Sequence, residues 1–357
     1  MTTPADASGP APDRSGQAAR PPWALRLAGL TLADAFAFPG AYLLFRAVTE
    51  EAEPLALLLT RTTLEPLGRT LLLASTVSVS ALVLGTSLAW FSIRTDVVAP
   101  RLWRVLLPIP LVFPTFIGAA ALIRTTNPGG IANDLLATVG VARTPELQGF
   151  AGAWFVLTLF TYPYVYLPVA AGFRQLSGSL EDSARVLGDS TWRTFRRICL
   201  PQVGAAMGAG TLLVFLYVVS DFGAVRLLRY DTLTRAIDTN QLANPPVALA
   251  LSLILLVLAG VVVALERLFS RRLPDGVRHR SAPPTTYVLG RWRPVATGFL
   301  ALATAAAVGG PMVALLDWSI EGLLRVGRGG RPLTIGVDDV LAAVARARNP
   351  VATGRHR

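Results

Sequence analysis

Lysine is missing from all 357 residues; the 33 residues counted as Lys or Arg are all arginine. A phosphate-binding P-loop needs its lysine to reach the terminal phosphates of a nucleotide. The chain is therefore no P-loop ATPase by itself, and any ATP-driven work needs another subunit. Cysteine occurs once, as Cys199, and histidine twice, as His279 and His356. One cysteine excludes an intrachain disulfide, and the three residues together are too few for a Cys/His metal cluster. No resident metal or cofactor is expected. HExxH and GxSxG patterns are absent too, which leaves an enzymatic reading without a nucleophile, base or metal to carry it. Charge is scarce at 15%, below what an ordinary soluble domain carries. The formal net charge of +11 reflects arginine used to the exclusion of lysine, a pattern that fits GC-rich coding, and it is not read as a nucleic-acid footprint.

What is abundant is apolar sequence. Hydrophobic residues make up 52%, and the mean hydropathy is +0.51. They fall in blocks of about 20, the length that crosses roughly 30 Å of hydrocarbon. Seven spans are expected, near Arg26–Ala47, Leu71–Ile93, Val105–Ile123, Phe150–Phe173, Val203–Ser220, Val247–Leu268 and Pro294–Leu316. The fold class is an all-α polytopic membrane bundle of six to seven helices. Residues 1–22, rich in Ala, Pro, Ser and Gly, read as a disordered tail. Arginine sorts to cytoplasmic loops, so Arg14, Arg20 and Arg26 put the N-terminus in the cytoplasm. Arg94, Arg101 and Arg104 place the second loop there as well, and so does the basic linker of residues 271–293. The loop with Glu50, Glu51, Glu53 and Glu65 falls outside.

The fourth loop carries the most structured polar sequence, EDSARVLGDSTWRTFRRICLP, from Glu181 to Pro201. It reads as a helix over Asp182–Leu187, a break at Gly188, and a second helix from Thr191 to Cys199 capped by Asp189 or Ser190. Trp192, Phe195 and Ile198 share its apolar face; Arg193, Arg196 and Arg197 share the other. Pro201 is expected to end this helix and start the next span. Such an amphipathic element can fill a groove on a partner.

The spacing of Asp182-Ser183-Ala184, Gly188, Ile198, Leu200 and Pro201 resembles the coupling loop of ABC importer permeases (Glu-Ala-Ala, three residues, Gly, nine residues, Ile, one residue, Leu-Pro). Asp182 stands where the family has Glu, and Ser183 where it has Ala; Glu181 is a neighbouring acid. RTLLLASTVSVSALVLGTSLAWFSIRTD, LPIPLVFPTFIGAAAL, YPYVYLP and VVSDFGAVRLL are similar to further segments of the iron(III)-type permeases, so that the likeness covers about residues 24 to 320. The resemblance implies a type I-like importer subunit in the bacterial cytoplasmic membrane. Its loop over residues 178–201 would dock on an ABC ATPase dimer through Glu181, Asp182, Ser183, Ala184, Gly188, Arg193, Arg197, Ile198, Leu200 and Pro201. An extracytoplasmic binding protein would deliver the cargo, and transport would proceed by alternating access. The implied cargo is ferric iron; thiamine, phosphonates and polyamines use similar permeases.

Residues at membrane depth mark a candidate pathway. Pro108, Pro110 and Pro114 in the third span and Pro163 beside Tyr162 in the fourth leave backbone groups unpaired, which a water-lined path or a neighbouring helix can satisfy; each is expected to bend its helix, either to line the path or as a kink packed on another helix. Asp34 lies within the first span, where an ionised group hints at function or is held at an interface. Asp221 closes the fifth span, either near the pathway or at the membrane boundary. The six spans of residues 23–270 read as one permease half, and Pro311-Met312-Val313-Ala314-Leu315-Leu316 echoes Pro39-Gly40-Ala41-Tyr42-Leu43-Leu44. Residues 294–357 are therefore expected to begin a second half that breaks off at an arginine-rich end. A frame-shifted fused permease, a short form completed by a second permease half, and an inactive fragment are the alternatives. A gradient-driven secondary transporter is the rival mechanism, and it would need more buried ionisable residues than the spans hold.

Overall fold

The computed structural model describes residues 23–49, 56–127, 130, 146–176, 178–188, 190–270 and 286–327. The expected tail at 1–22, residues 271–285 of the expected linker with His279, and the arginine-rich stretch at 328–357 with His356 lie outside the described residues. Thirteen α-helices are described: α1 Trp23–Thr49, α2 Arg61–Arg94, α3 Pro100–Leu106, α4 Thr115–Thr126, α5 Gly149–Gln175, α6 Gly178–Val186, α7 Thr191–Thr194, α8 Leu200–Ser220, α9 Gly223–Leu227, α10 Leu233–Ala243, α11 Pro245–Ser270, α12 Arg293–Thr304 and α13 Gly310–Gly327. A π turn over Phe195–Cys199 joins α7 to α8, and another over Ala305–Gly309 joins α12 to α13. Extended pairing among the described residues is limited to one isolated bridge, between Thr95 and Tyr287.

Six of the described helices are long and apolar enough to cross a membrane, and a bent pair makes a seventh if it is counted as one span. The core is the trio α2, α5 and α8. Leu73, Val77 and Leu88 of α2, Val156, Leu157 and Val165 of α5, and Val214 of α8 are fully enclosed. In lipid, burial of apolar surface supplies little drive between helices, so close backbone approach must. Two glycines provide it. A Cβ on Gly85 would lie 2.9 Å from the Tyr162 carbonyl oxygen, and one on Gly210 would lie 2.8 Å from the Tyr164 carbonyl oxygen and the Val165 Cα. Helix α5 is thus gripped from two neighbours at the same turn. Helix α11 packs on α8 and α10, and α1 rests on α11 with none of its apolar window buried.

Two sets of connections close the bundle at opposite ends. At one end Arg94, α6, the Phe195–Cys199 turn and Tyr287 meet. At the other, the Leu233 N–H donates to Thr70 Oγ1 (2.8 Å), the Gly149 N–H donates to the Leu228 carbonyl (2.7 Å), and Arg69 pairs with Glu65 and Asp231.

Two expectations are corrected. The third span, expected as one bent helix over Val105–Ile123, is broken instead: the segment Pro100–Val112 and the helix Thr115–Thr126 meet at 100°. Pro108, Pro110 and Pro114 remove three N–H donors within seven residues, and the α-helical ladder cannot run through them. Conversely, Pro201 does not end a helix. Leu200 keeps right-handed helical dihedrals, and its N–H donates to the Phe195 carbonyl, five residues back. The wider π turn carries the chain into Pro201, which then sits in the first turn of α8 where a missing N–H costs least.

Candidate functional site

The segment from Gly178 to Pro201 folds as helix α6, a turn at Gly188, and α7 running through the π turn into α8. Gly188 takes φ +87°, the left-handed region that side chains with a Cβ resist. Ser190 Oγ accepts from the Arg193 N–H at 3.4 Å and starts the second helix. Asp182, Val186, Leu187 and Gly188 are exposed on one side, with the side chains of Val186 and Leu187 87% and 86% free. Arg193, Arg196 and Arg197 are exposed as well. Ala184 is buried, Ile198 and Leu200 are half-buried, and Phe195 packs its ring 4.2 Å from that of Trp90. Asp189 and the side chains of Ser183 and Trp192 lie outside the described residues.

Glu181 is not on the exposed side. Its carboxylate is 1% exposed and takes Arg94 Nη2 on both oxygens at 2.5 Å. Arg94, the last residue of α2, is fully buried, and its Nη1 donates to the Phe173 carbonyl (3.2 Å). Glu181 therefore anchors α6 to the bundle instead of offering a charge to a partner, and Asp182 is the acid left at the surface. Sequence reasoning missed Arg94. Its signal was an arginine at the very end of a span, which positive-inside sorting explains equally well.

The pathway candidates separate into three groups. Tyr162 and Pro163 are buried in α5, and the Tyr162 hydroxyl donates to the Leu107 carbonyl (2.8 Å), satisfying an acceptor just ahead of the proline-rich bend. Pro110 is buried, Pro108 half-buried and Pro114 exposed. Asp34 stands exposed on α1 and is not brought to the others. Asp221 is buried where α8 ends. Its Oδ2 accepts from Thr115 Oγ1 (2.6 Å) at the start of α4, and its Oδ1 accepts from the N–H groups of Ala224 (3.0 Å) and Val225 (3.3 Å). Thr115 Oγ1 also lies 3.2 Å from the Tyr217 hydroxyl. Asp221 thus ties the far side of the bend to α8 and caps α9. Thr115 and Tyr217 had no sequence signal, because only the bend brings them to Asp221.

Burial raises the Asp221 carboxyl above the ordinary carboxylate range, and the Thr115, Val225 and Ala224 hydrogen bonds pull it partly back. A raised folded-state value means that the folded protein holds the proton more tightly. The stabilising increment is full below the unfolded value near about 4 and is lost as pH rises through the folded one. The thermal midpoint of the wild type is therefore expected to gain more between pH 7 and mildly acidic pH than that of Asp221→Asn, which keeps the acceptor for the two N–H groups. Parallel melting curves across pH would refute this.

The described residues contain no group of three His, Cys, Asp or Glu side chains that could hold a metal. Residues 81–274 match the family described as binding-protein-dependent transport system inner membrane component. The chain belongs to that family. The matched region runs from the middle of α2 past the end of α11 and contains the whole helix–glycine–helix element. This family member is 28% identical over 309 residues to the Fe(3+)-transport system permease protein FbpB 2 of Haemophilus influenzae, covering 85% of this chain and 58% of that protein. It is 28% identical over 156 residues to the sulfate transport system permease protein CysT of Escherichia coli, covering 44% of this chain and 55% of that one. The chain spans little more than half the length of these curated relatives. A bacterial alginate ABC transporter, solved with its pentasaccharide-bound periplasmic protein, shares the fold at a TM-score of 0.55 and 16% identity, over 70% of this chain and 94% of that one. The chain is thus an all-α, multi-pass membrane protein of the ABC importer permease family.

Proposed function

We propose that this chain is the membrane-spanning unit of an ABC importer that takes ferric iron from an extracytoplasmic binding protein, driven by a separate ATPase dimer. The observation that carries the reading is the element at one end of the bundle. The register of Asp182, Gly188, Ile198, Leu200 and Pro201 folds as two short helices about a left-handed glycine. Its exposed tip of Val186 and Leu187, beside Asp182 and the arginines 193, 196 and 197, suits an apolar groove with a charged rim on a partner. Arginine sorting supports a cytoplasmic position for this end and for the N-terminus of α1. Ferric iron is favoured over sulfate because the iron relative aligns over 85% of the chain and the sulfate relative over 44%. The seventh span, α12 to α13, is read as the opening of a second permease unit, and a second six-span half completes the pathway.

Proline locks φ near −65°, which is incompatible with the +87° of Gly188. Gly188→Pro is expected to abolish co-purification of the ABC ATPase subunit while the permease still reaches the membrane. Capture at the wild-type level would overturn the coupling role. ATP-dependent uptake of ferric iron but not sulfate by vesicles carrying the assembled transporter tests the cargo, and uptake without ATP would make the protein a secondary transporter.

A further inference from the structure

Tyr287 lies just ahead of the seventh span, within the basic linker of residues 271–293, yet it is 3% exposed. Its hydroxyl donates to Glu181 Oε2 at 2.6 Å, on the same carboxylate that Arg94 holds. Its N–H donates to the Arg94 carbonyl (2.8 Å), and its carbonyl accepts from the Asp96 N–H (3.2 Å). Its ring centroid is 5.0 Å from that of Trp90, and the Arg94 guanidinium lies 5.7 Å from its ring. The Cys199 thiol, fully buried in the π turn, sits 4.0 Å from the Tyr287 hydroxyl. One side chain therefore touches the end of α2, the helix α6, the π turn, and the entry to the seventh span.

Chemistry divides the labour within this cluster. Arg94 neutralises the buried carboxylate, and losing it would leave a bare charge. Tyr287 adds a neutral donor to one oxygen, so its bond can open while the ion pair stays closed. Burial and the bond to Glu181 both push the Tyr287 phenol above its ordinary value, so it remains a donor throughout the physiological range.

We propose that Tyr287 is a positioning residue for the coupling element: its hydroxyl latches Glu181, and with it α6 and the Gly188 turn, to the chain entering the seventh span, and covers Cys199 while the latch is shut. The inference rests on the coupling reading above. In it, a pull on α6 reaches the seventh span directly through the latch and not only through the packed trio.

Cys199 is the sole cysteine of the chain, so the natural protein carries its own reporter. The full-length protein in membrane vesicles is treated with N-ethylmaleimide, and modification is followed by intact mass. Tyr287→Phe keeps the ring contacts and removes only the hydroxyl. A hydrogen bond to a charged group is worth at least about a factor of ten in an opening equilibrium, so labelling is expected to be about tenfold faster. The same variant is expected to capture wild-type amounts of the ATPase subunit but to couple ATP hydrolysis to uptake less well. Thr297→Ala serves as the control for general loosening, since Thr297 Oγ1 accepts from the Val98 N–H (3.2 Å) and ties the same span to the same loop without touching Glu181. It is expected to label at the wild-type rate. Equal rates for Tyr287→Phe and wild type, or equal acceleration by Thr297→Ala, would overturn the latch. Failure of the wild type to capture the ATPase subunit would sink the coupling reading, and the labelling comparison would still decide whether the hydroxyl holds the element shut.

Discussion

Arg94→Ala is expected to destabilise the protein by about 3–5 kcal/mol, because it strips the partner from a carboxylate that has no access to water. The pair is 0% and 1% exposed, and the guanidinium also satisfies the Phe173 carbonyl. The cost is that of stranding Glu181, not the net worth of the ion pair. Replacing both members by apolar residues of similar volume, Arg94→Met with Glu181→Leu, should recover most of the stability, since the desolvation of two charges disappears together with their attraction. Thermal unfolding in detergent of the wild type, the single variant and the double variant reads this directly. A single variant within about 0.5 kcal/mol of wild type, the size of an ordinary surface change, would mean that the pair is not shut in the protein as it exists.

The second large effect is expected at the glycines that grip α5. Valine at Gly85 or at Gly210 would press on backbone atoms of Tyr162, Tyr164 and Val165 at 2.8–2.9 Å, and backbone inside a helix cannot rotate away as a side chain can. Each substitution should cost about 1–3 kcal/mol or more through overpacking. The two sites press on overlapping stretches of α5, so relief of one clash is limited by the opposite neighbour. The double variant is therefore expected to lose more than the sum of the two, a coupling of about 0.5–3 kcal/mol. Additive losses would show that α5 has free space to move into. Alanine at either site is the milder control and should lie between glycine and valine.

The membrane spans were legible because lipid imposes a length and a composition that the chain must meet along its whole course. Helices α2, α5 and α11 enclose the expected segments with little more than extra turns at their ends. The helix–glycine–helix element was legible because its information is local: a left-handed glycine, a cap and an amphipathic turn lie within some twenty residues. Two features escaped. The three prolines of the third apolar block announced a bent helix, but not that the bend would reach 100° and break the span, because missing donors carry no angle. The π turn ahead of Pro201 is a compromise between a proline and a helix that both persist, and proline alone reads as a stop. The cluster at Glu181 was beyond reach for another reason. Its members are 87 and 106 residues apart in sequence, and nothing near Arg94 or Tyr287 distinguishes them from a sorting charge and an interfacial aromatic.

That separation sets an order for the making of the protein. Arg94 is synthesised first, Glu181 follows 87 residues later, and Tyr287 a further 106 residues on. At roughly 5–20 residues per second, the arginine waits about 4–17 s for its carboxylate, and the carboxylate about 5–21 s more for the phenol. Until the phenol arrives, α6 is tied to the end of α2 by the ion pair, with the Arg94 bond to the Phe173 carbonyl and the Trp90–Phe195 ring contact beside it. The nascent chain therefore passes through an unlatched stage in which Cys199 lacks its tyrosine cover. Only when the ribosome has delivered the approach to the seventh span can the finished arrangement close.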